Sequence, residues 1–315
     1  MIENNQRMTS FPHKHLIAID DLSPDDVNTI LDRADYFAKT SSGEKACEQT
    51  LKNKIILALF FEDSTRTCTS FEIAAKRLGA DIIKLDLKKS SLNKGESFHD
   101  TIITLNAMQP DAMIIRHSEY GAPKTVSTLS DCPVINAGDS WNEHPTQALL
   151  DAQTMRHHFG KLEGLIVAII GDIAHSRVAS SNMNLLTKMG ANVRIIAPEI
   201  LMPEKLPSDK IEKFTDLEEG IKDTDVVMTI RPQKERMDTA LIDDNRYFRE
   251  YGLTREKLKL AKKETIVLDP GPYLRNVQIS DNLADDTKQF LYLKQVTNGV
   301  TTRMAVMDLL MGGDK

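Results

Sequence analysis

What most limits how this chain can fold is a regular alternation of short apolar runs with segments of helical spacing. Apolar runs of strand character occupy 55–60, 81–85, 111–115 and 133–136, then 165–170, 192–197, 225–230 and 265–269. Helix-like periods fall between them, near 66–78, 96–108, 145–158 and 177–189. Parallel strands need a long crossover, and a helix is its usual form, so this order predicts βαβ units and parallel sheets. Two groups of four strands with the segment 145–158 between them predict an α/β protein of two doubly wound parallel-sheet domains linked by long helices. The expected division gives one domain to residues 1–150, completed by a C-terminal helix at about 296–315, and the other to 151–295.

Both ends predict helices. Ser23-Pro24-Asp25-Asp26 combines a cap, a proline at the first position and acids in the first turn. After it, Val27, Ile30, Leu31, Ala34 and Phe37 form one apolar face. At the other end Val300, Met304, Met307 and Leu310 or Met311 recur at the same spacing, a methionine stripe of the kind that fills cores. The two terminal helices are expected to pack together and tie the domains.

Charge restricts the partners. The 315 residues include 46 acidic and 40 basic ones, a net −6, and no basic patch stands out. Nucleic acid is therefore not an expected partner, and an anionic ligand must be drawn by a local cluster of Arg and Lys. No apolar run approaches the roughly 20 residues of a membrane span, and the stretch from Met1 to Arg7 has no apolar signal-peptide core. Cys47, Cys68 and Cys132 are sparse and unpaired in spacing. They suggest reduced thiols in a cytoplasm and no metal site.

The chemistry-bearing residues collect at strand ends. Ser64-Thr65-Arg66-Thr67 follows the first apolar run and opens a helix on which Phe71, Ala74, Ala75 and Leu78 share a face. The first amides of a helix lack partners within it, so a strand–turn–helix junction suits a phosphate, and Arg can hold two of its oxygens. The alternative is a simple serine cap with a solvated arginine. His144-Pro145-Thr146-Gln147 has Pro145 at a first helical position and His144 at the helix mouth. The positive dipole end there favours a neutral imidazole, able to donate to a carbonyl, and Gln147 lies one turn on. Arg116 ends the strand 111–115, where open α/β sheets put their ligands. Arg177 and Arg231 with Gln233 repeat that placement after two later strands, and Asp269-Pro270-Gly271-Pro272 makes a rigid turn after another. Gly171-Asp172-Ile173-Ala174-His175 lacks the glycine spacing of a dinucleotide loop, so no nicotinamide or flavin is expected. The polar stretch Ser90–Glu96 is a linker or a lid. Four arginines with Thr67, His144, Gln147 and Gln233 describe a site for a phosphate plus carboxylates.

The combination of Ser64-Thr65-Arg66-Thr67, His144-Pro145-Thr146-Gln147 and Arg231-Pro232-Gln233-Lys234-Glu235-Arg236 resembles the carbamoyltransferases. The likeness runs from helix 24–37 to Asn298-Gly299-Val300. Thr146 stands where ornithine enzymes usually carry Cys, and no Ser-Met-Gly segment occurs, so the resemblance is to catalytic chains that use aspartate. It implies that carbamoyl phosphate and L-aspartate give N-carbamoyl-L-aspartate and phosphate, the committed step of pyrimidine synthesis, with no cofactor. Ser64, Thr65, Arg66, Thr67 and Arg116 would bind the phosphate, and Thr67, Arg116 and His144 would polarise the carbamoyl oxygen. Gln147 and the turn Pro270-Gly271-Pro272 would hold the carbamoyl nitrogen. Arg177 would take the α-carboxylate of aspartate, Arg231 and Gln233 its side-chain carboxylate. Ser91 would reach carbamoyl phosphate, and Lys94 both substrates, from a neighbouring subunit, which implies a homotrimer with shared sites. The resemblance leaves open regulatory chains, a dihydroorotase partner or a free trimer. Two positions depart from the pattern: Cys68 stands where a second Arg is usual, and Asp269 where a His usually precedes the turn.

Overall fold

The computed structural model describes residues 11–41, 48–85, 95–233 and 243–312. The first half runs α1 (Pro24–Ser41), β1 (Ile55–Phe60), α2 (Thr65–Arg77), β2 (Asp81–Lys84), α3 (Phe98–Asn106), β3 (Ala112–His117), α4 (Ala122–Leu129), β4 (Val134–Asp139) and α5 (Pro145–Phe159). The second half continues with β5 (Ile166–Gly171), α6 (Arg177–Lys188), β6 (Asn192–Ile196), β7 (Glu212–Phe214), α7 (Leu217–Ile221) and β8 (Val226–Ile230). It ends with α8 (Asp244–Tyr251), α9 (Arg255–Leu258), β9 (Ile266–Leu268), α10 (Asp281–Ala284) and α11 (Tyr292–Met311).

The strands form two parallel sheets, one ordered β2-β1-β3-β4 and the other β7-β6-β5-β8-β9. In each, the chain winds outward one way, then restarts beside its first strand. The restart lies between β1 and β3 in the first sheet and between β5 and β8 in the second. Helices diverge at such a switch point and leave a crevice at the carboxyl ends of the two strands. The eight expected strands are all present. The ninth, β7, is a Glu-Lys-Phe edge strand with little burial, too short and polar to show a period.

The terminal helices meet as expected. Val27, Leu31, Ala34 and Phe37 of α1 are fully buried, as are Met304 and Met307 of α11. Arg33 Nε donates to Asp308 Oδ2 at 2.6 Å between the two helices. α11 also packs against α2 and α5. Its seam with α5 is polar: Asn298 donates to Thr154 at 2.8 Å, and Thr302 to Gln153 at 2.7 Å. Every residue of α5 from Pro145 to Met155 is buried, because this helix lies between the two sheets' layers with no solvent face. Among the described residues no helix is long and apolar enough to cross a membrane.

Candidate active site

A cavity of about 720 Å³ opens where the two switch points face one another. Ser64, Thr65, Arg66 and Thr67 line it from the end of β1, Arg116 from β3, and His144 and Gln147 from the start of α5. Arg177 enters from beyond β5, Arg231 and Gln233 from β8, and Pro270, Gly271 and Pro272 from β9. Thirteen expected site residues thus share one wall although they span most of the chain. Ser91 and Lys94 lie outside the described residues.

Local structure explains each placement. Ser64 is the N-cap of α2 in extended geometry, yet its side chain makes no capping bond, so the simple-cap alternative fails. Pro145 needs no amide partner in the first turn of α5 and leaves His144 as the N-cap, again without a side-chain cap. Ser176 caps α6 by accepting from the Ala179 amide at 3.2 Å, which sets Arg177 as the first helical residue. The Gln233 amide donates to buried Asp172 at 2.9 Å, and His175 Nδ1 donates to the same carboxylate at 2.8 Å. The Gly271–Pro272 peptide bond is cis.

The electrostatics depend on residues that the motifs did not include. Glu62 lies two positions before Ser64, and its Oε2 accepts from Arg116 Nε at 3.1 Å and Arg177 Nη2 at 2.7 Å. One carboxylate therefore holds guanidiniums from both sheets. Arg303 of α11 also lines the cavity and is 3% exposed, with its guanidinium stacked 5.0 Å from the Phe71 ring and Nη1 donating to the Gly299 carbonyl. Burial pushes its pKa down to about 9. A signal for Arg303 existed: it falls on the apolar stripe between Val300 and Met304, and charged residues are rarely fully buried without a role. Glu62 carried no periodic signal, because it sits in the turn itself.

His144 is 4% exposed. Burial holds its pKa well below the ordinary value, and Arg303, Arg116 and Arg177 add to the effect. The imidazole is neutral as expected, but the leading cause is desolvation beside a cluster of cations. Among the described residues its Nδ1 and Arg177 Nη1 are buried without a hydrogen-bond partner. Ser181 of α6 accepts from the His144 amide at 2.8 Å and donates to Glu143, which ties the loop to the second sheet's layer.

The two departures from the family pattern behave differently. Cys68 turns from the cavity and donates to Glu72 at 3.3 Å. Asp269 does line the cavity, but its carboxyl group is engaged with its own turn. Oδ2 accepts from Thr229 at 2.6 Å and Gln278 at 2.5 Å, and Oδ1 from the Gly271 amide at 2.7 Å. Burial pushes its pKa up to about 6. The lining thus carries five arginines against Glu62, Asp63 and a weakened Asp269. In a partly closed, poorly solvated space such charges act far more strongly than on a surface. The arrangement can hold several anionic groups side by side and put neutral donors between them.

Comparison with known proteins gives the same picture. Residues 14–157 match the family model of the aspartate/ornithine carbamoyltransferase carbamoyl-P binding domain, and residues 163–310 match that of the Asp/Orn binding domain. The aspartate carbamoyltransferase catalytic subunit of Rhodospirillum centenum is 48% identical over 313 residues, covering 99% of this chain and 98% of that one. Ornithine carbamoyltransferase from Pyrococcus furiosus superposes with a TM-score of 0.89 at 28% identity, over 98% of this chain and 100% of that one. Aspartate transcarbamoylase from Trypanosoma cruzi, solved in complex with N-(phosphonacetyl)-L-aspartic acid, gives a TM-score of 0.83 at 30% identity, over 93% and 94%. With both halves matched in order and nearly end to end, the chain belongs to the aspartate/ornithine carbamoyltransferase family.

Proposed function

We propose that this chain is an aspartate carbamoyltransferase: it transfers the carbamoyl group of carbamoyl phosphate to the amine of L-aspartate, an early step of pyrimidine synthesis. The observation that carries the proposal is the convergence of Arg66, Arg116, Arg177, Arg231 and Arg303 on one cavity around a neutral His144. The ligand of the Trypanosoma cruzi relative joins a phosphonate, an amide carbonyl and two carboxylates, a charge pattern that such a wall complements.

Residues 1–150 with the C-terminal helix form the carbamoyl-phosphate-binding domain, and 151–295 the aspartate-binding domain. Ser64, Thr65, Arg66 and Thr67 take the phosphate with Arg116. The neutral aspartate amine attacks the carbamoyl carbon and negative charge gathers on the carbonyl oxygen; the C–O bond to phosphate then breaks, and the departing phosphate takes the proton that the nitrogen loses. Thr67, Arg116 and His144 stabilise that oxygen; a neutral imidazole can donate to it without adding another cation to a crowded cluster. Gln147 and the Pro270-Gly271-Pro272 turn hold the carbamoyl nitrogen. Arg177 binds the α-carboxylate, and Arg231 with Gln233 the side-chain carboxylate. Catalysis is then mainly orientation and charge stabilisation. The chain works in the cytoplasm as a homotrimer in which Ser91 and Lys94 of a neighbour complete each site, alone or with regulatory chains or a dihydroorotase.

The fold is shared with an ornithine enzyme, so the acceptor is decided by side chains on the cavity wall and not by the fold. The test is an acceptor panel with carbamoyl phosphate held constant. Aspartate should be carbamoylated, and ornithine and N-acetylornithine should not. Turnover with ornithine and none with aspartate would refute the assignment.

A further inference from the structure

Asp151 takes no part in the chemistry above, yet it is the centre of the buried polar cluster behind the cavity wall. Its side chain is 0% exposed. Oδ1 accepts from Gln147 Nε2 at 3.0 Å and from Gln295 Nε2 at 2.8 Å, and Oδ2 accepts from Asn182 Nδ2 at 2.9 Å. A carboxylate can only accept, so it dictates which way each amide is turned. Both glutamines must offer it their NH2 and direct their carbonyl oxygens elsewhere. For Gln295 that oxygen accepts from the Asp269 amide at 3.0 Å. The Gly271 amide is held in turn by Asp269 Oδ1 at 2.7 Å, so the backbone is fixed on both sides of Pro270. Gln147 lines the cavity, and its carbonyl oxygen is the end of the amide left to face it.

We infer that Asp151 is a positioning residue for the substrate's NH2 group. It turns Gln147 so that an acceptor meets the carbamoyl nitrogen, and through Gln295 and the Asp269 amide it sets the Pro270 carbonyl as a second acceptor. Its role is selectivity for an acyl phosphate that carries NH2 where acetyl phosphate carries a methyl of similar size. The inference rests on the carbamoyl-transfer function proposed above. Fixed acceptors facing a methyl are left without donors, and sites built to bind an N–H reject analogues that lack it far more strongly than apolar pockets separate similar shapes.

The experiment uses Asp151→Leu in the full chain, because Asn could keep an oxygen toward both glutamines and turn its NH2 to Asn182. Leucine is close to aspartate in size and accepts nothing, so the NH2 groups of Gln147 and Gln295 lose the oxygen that turns them. A flipped Gln147 presents a donor to the carbamoyl NH2. At pH 8.5, where Asp151 is ionised in the wild type, affinities are measured for carbamoyl phosphate by saturation kinetics, and for acetyl phosphate and inorganic phosphate by inhibition. Carbamoyl phosphate should bind about 10- to 100-fold more weakly to the variant, with the other two within about threefold of wild type. Equal weakening of all three would mark a merely structural role and overturn the inference, as would no change in any. Gln295→Met, which removes the strut to the Asp269 amide and one donor to Asp151 but leaves Asp151 to orient Gln147, is the second variant. It should give a smaller loss, about three- to tenfold, confined to carbamoyl phosphate. If Asp151→Leu does not fold, an unselective or absent effect of Gln295→Met overturns the inference alone. A wild-type chain that fails to carbamoylate aspartate would instead overturn the function beneath it.

Discussion

Gly138→Ala is the sharpest test of how the site is assembled. Gly138 lies near the end of β4 with φ +139°, a backbone conformation that residues with a side chain rarely adopt. An added Cβ would stand 2.7 Å from Arg177 Nη1, 3.3 Å from Arg116 Cγ and 3.4 Å from Arg116 Nη1. Ordinary contact begins near 3.5 Å, so the Arg177 guanidinium must withdraw by roughly 0.8 Å, while Arg116 needs to give only about 0.1–0.2 Å. Neither can move freely, because Glu62 holds both guanidiniums, Arg116 by Nε and Arg177 by Nη2. The backbone strain should cost about 1–3 kcal/mol of stability. A shift near 1 Å in a positioning group can slow catalysis by about 100-fold, so kcat/KM for aspartate should fall by roughly 30- to 100-fold. The loss should be unequal: Arg177 moves most, so KM for aspartate should rise well above any rise in KM for carbamoyl phosphate. Urea unfolding and steady-state kinetics with each substrate varied measure both effects. A variant that loses stability but keeps the wild-type KM for aspartate would remove Arg177 from the acceptor site.

Other perturbations separate the remaining roles. Arg66→Ala, Arg116→Ala and His144→Ala should each lower kcat by about 100- to 1000-fold, the usual cost of one oxyanion donor, and near-normal turnover in all three would refute the phosphate and carbonyl assignments. Arg231→Ala should raise KM for aspartate and leave carbamoyl phosphate affinity unchanged; the reverse pattern would place the acceptor elsewhere. Mixing inactive Arg66→Ala and Lys94→Ala proteins and allowing subunits to exchange should restore activity, since some interfaces then keep both wild-type residues. No recovery despite demonstrated exchange would mean sites within single chains. Burial pushes the Asp151 carboxyl up from 3.8 to about 7. The folded chain therefore holds a proton that the unfolded chain releases. The group's contribution to stability is full below about pH 4 and is lost as pH rises through about 7. Asp151→Asn lacks that loss, so between pH 5 and pH 8 its stability should improve relative to wild type by up to about 2–3 kcal/mol. Parallel stability curves would show that the buried carboxyl does not titrate there.

What could be foreseen and what could not divide along a physical line. Strands, helix starts and the residues at strand ends are local facts, so the runs at 55–60 and 225–230 and the junctions at Ser64 and His144 could be placed without coordinates. The edge strand β7 and the short helices around it are held by packing, with no period to announce them. Strand order is the decisive non-local fact. Only when β1 lies beside β3 and β5 beside β8 do Arg66, Arg116, Arg177 and Arg231 point into one crevice. Motif spacing could suggest that convergence, but only the sheet topology accounts for it. Glu62 and Asp151 carried no local signal, and Arg303 only its place on an apolar stripe, for a related reason. Each acts on another site residue: Glu62 anchors two guanidiniums on one carboxylate oxygen, Arg303 adds to the field that keeps His144 neutral, and Asp151 fixes an amide. A group of this kind has meaning only against neighbours brought from elsewhere in the chain. The same logic explains how a protein with net charge −6 presents an anion site. Surface carboxylates are screened within roughly 10 Å by salt, whereas five guanidiniums in a recessed cavity face their ligand through little water. Anion recognition here is therefore set by which side chains the topology turns inward, and the overall charge has almost no say in it.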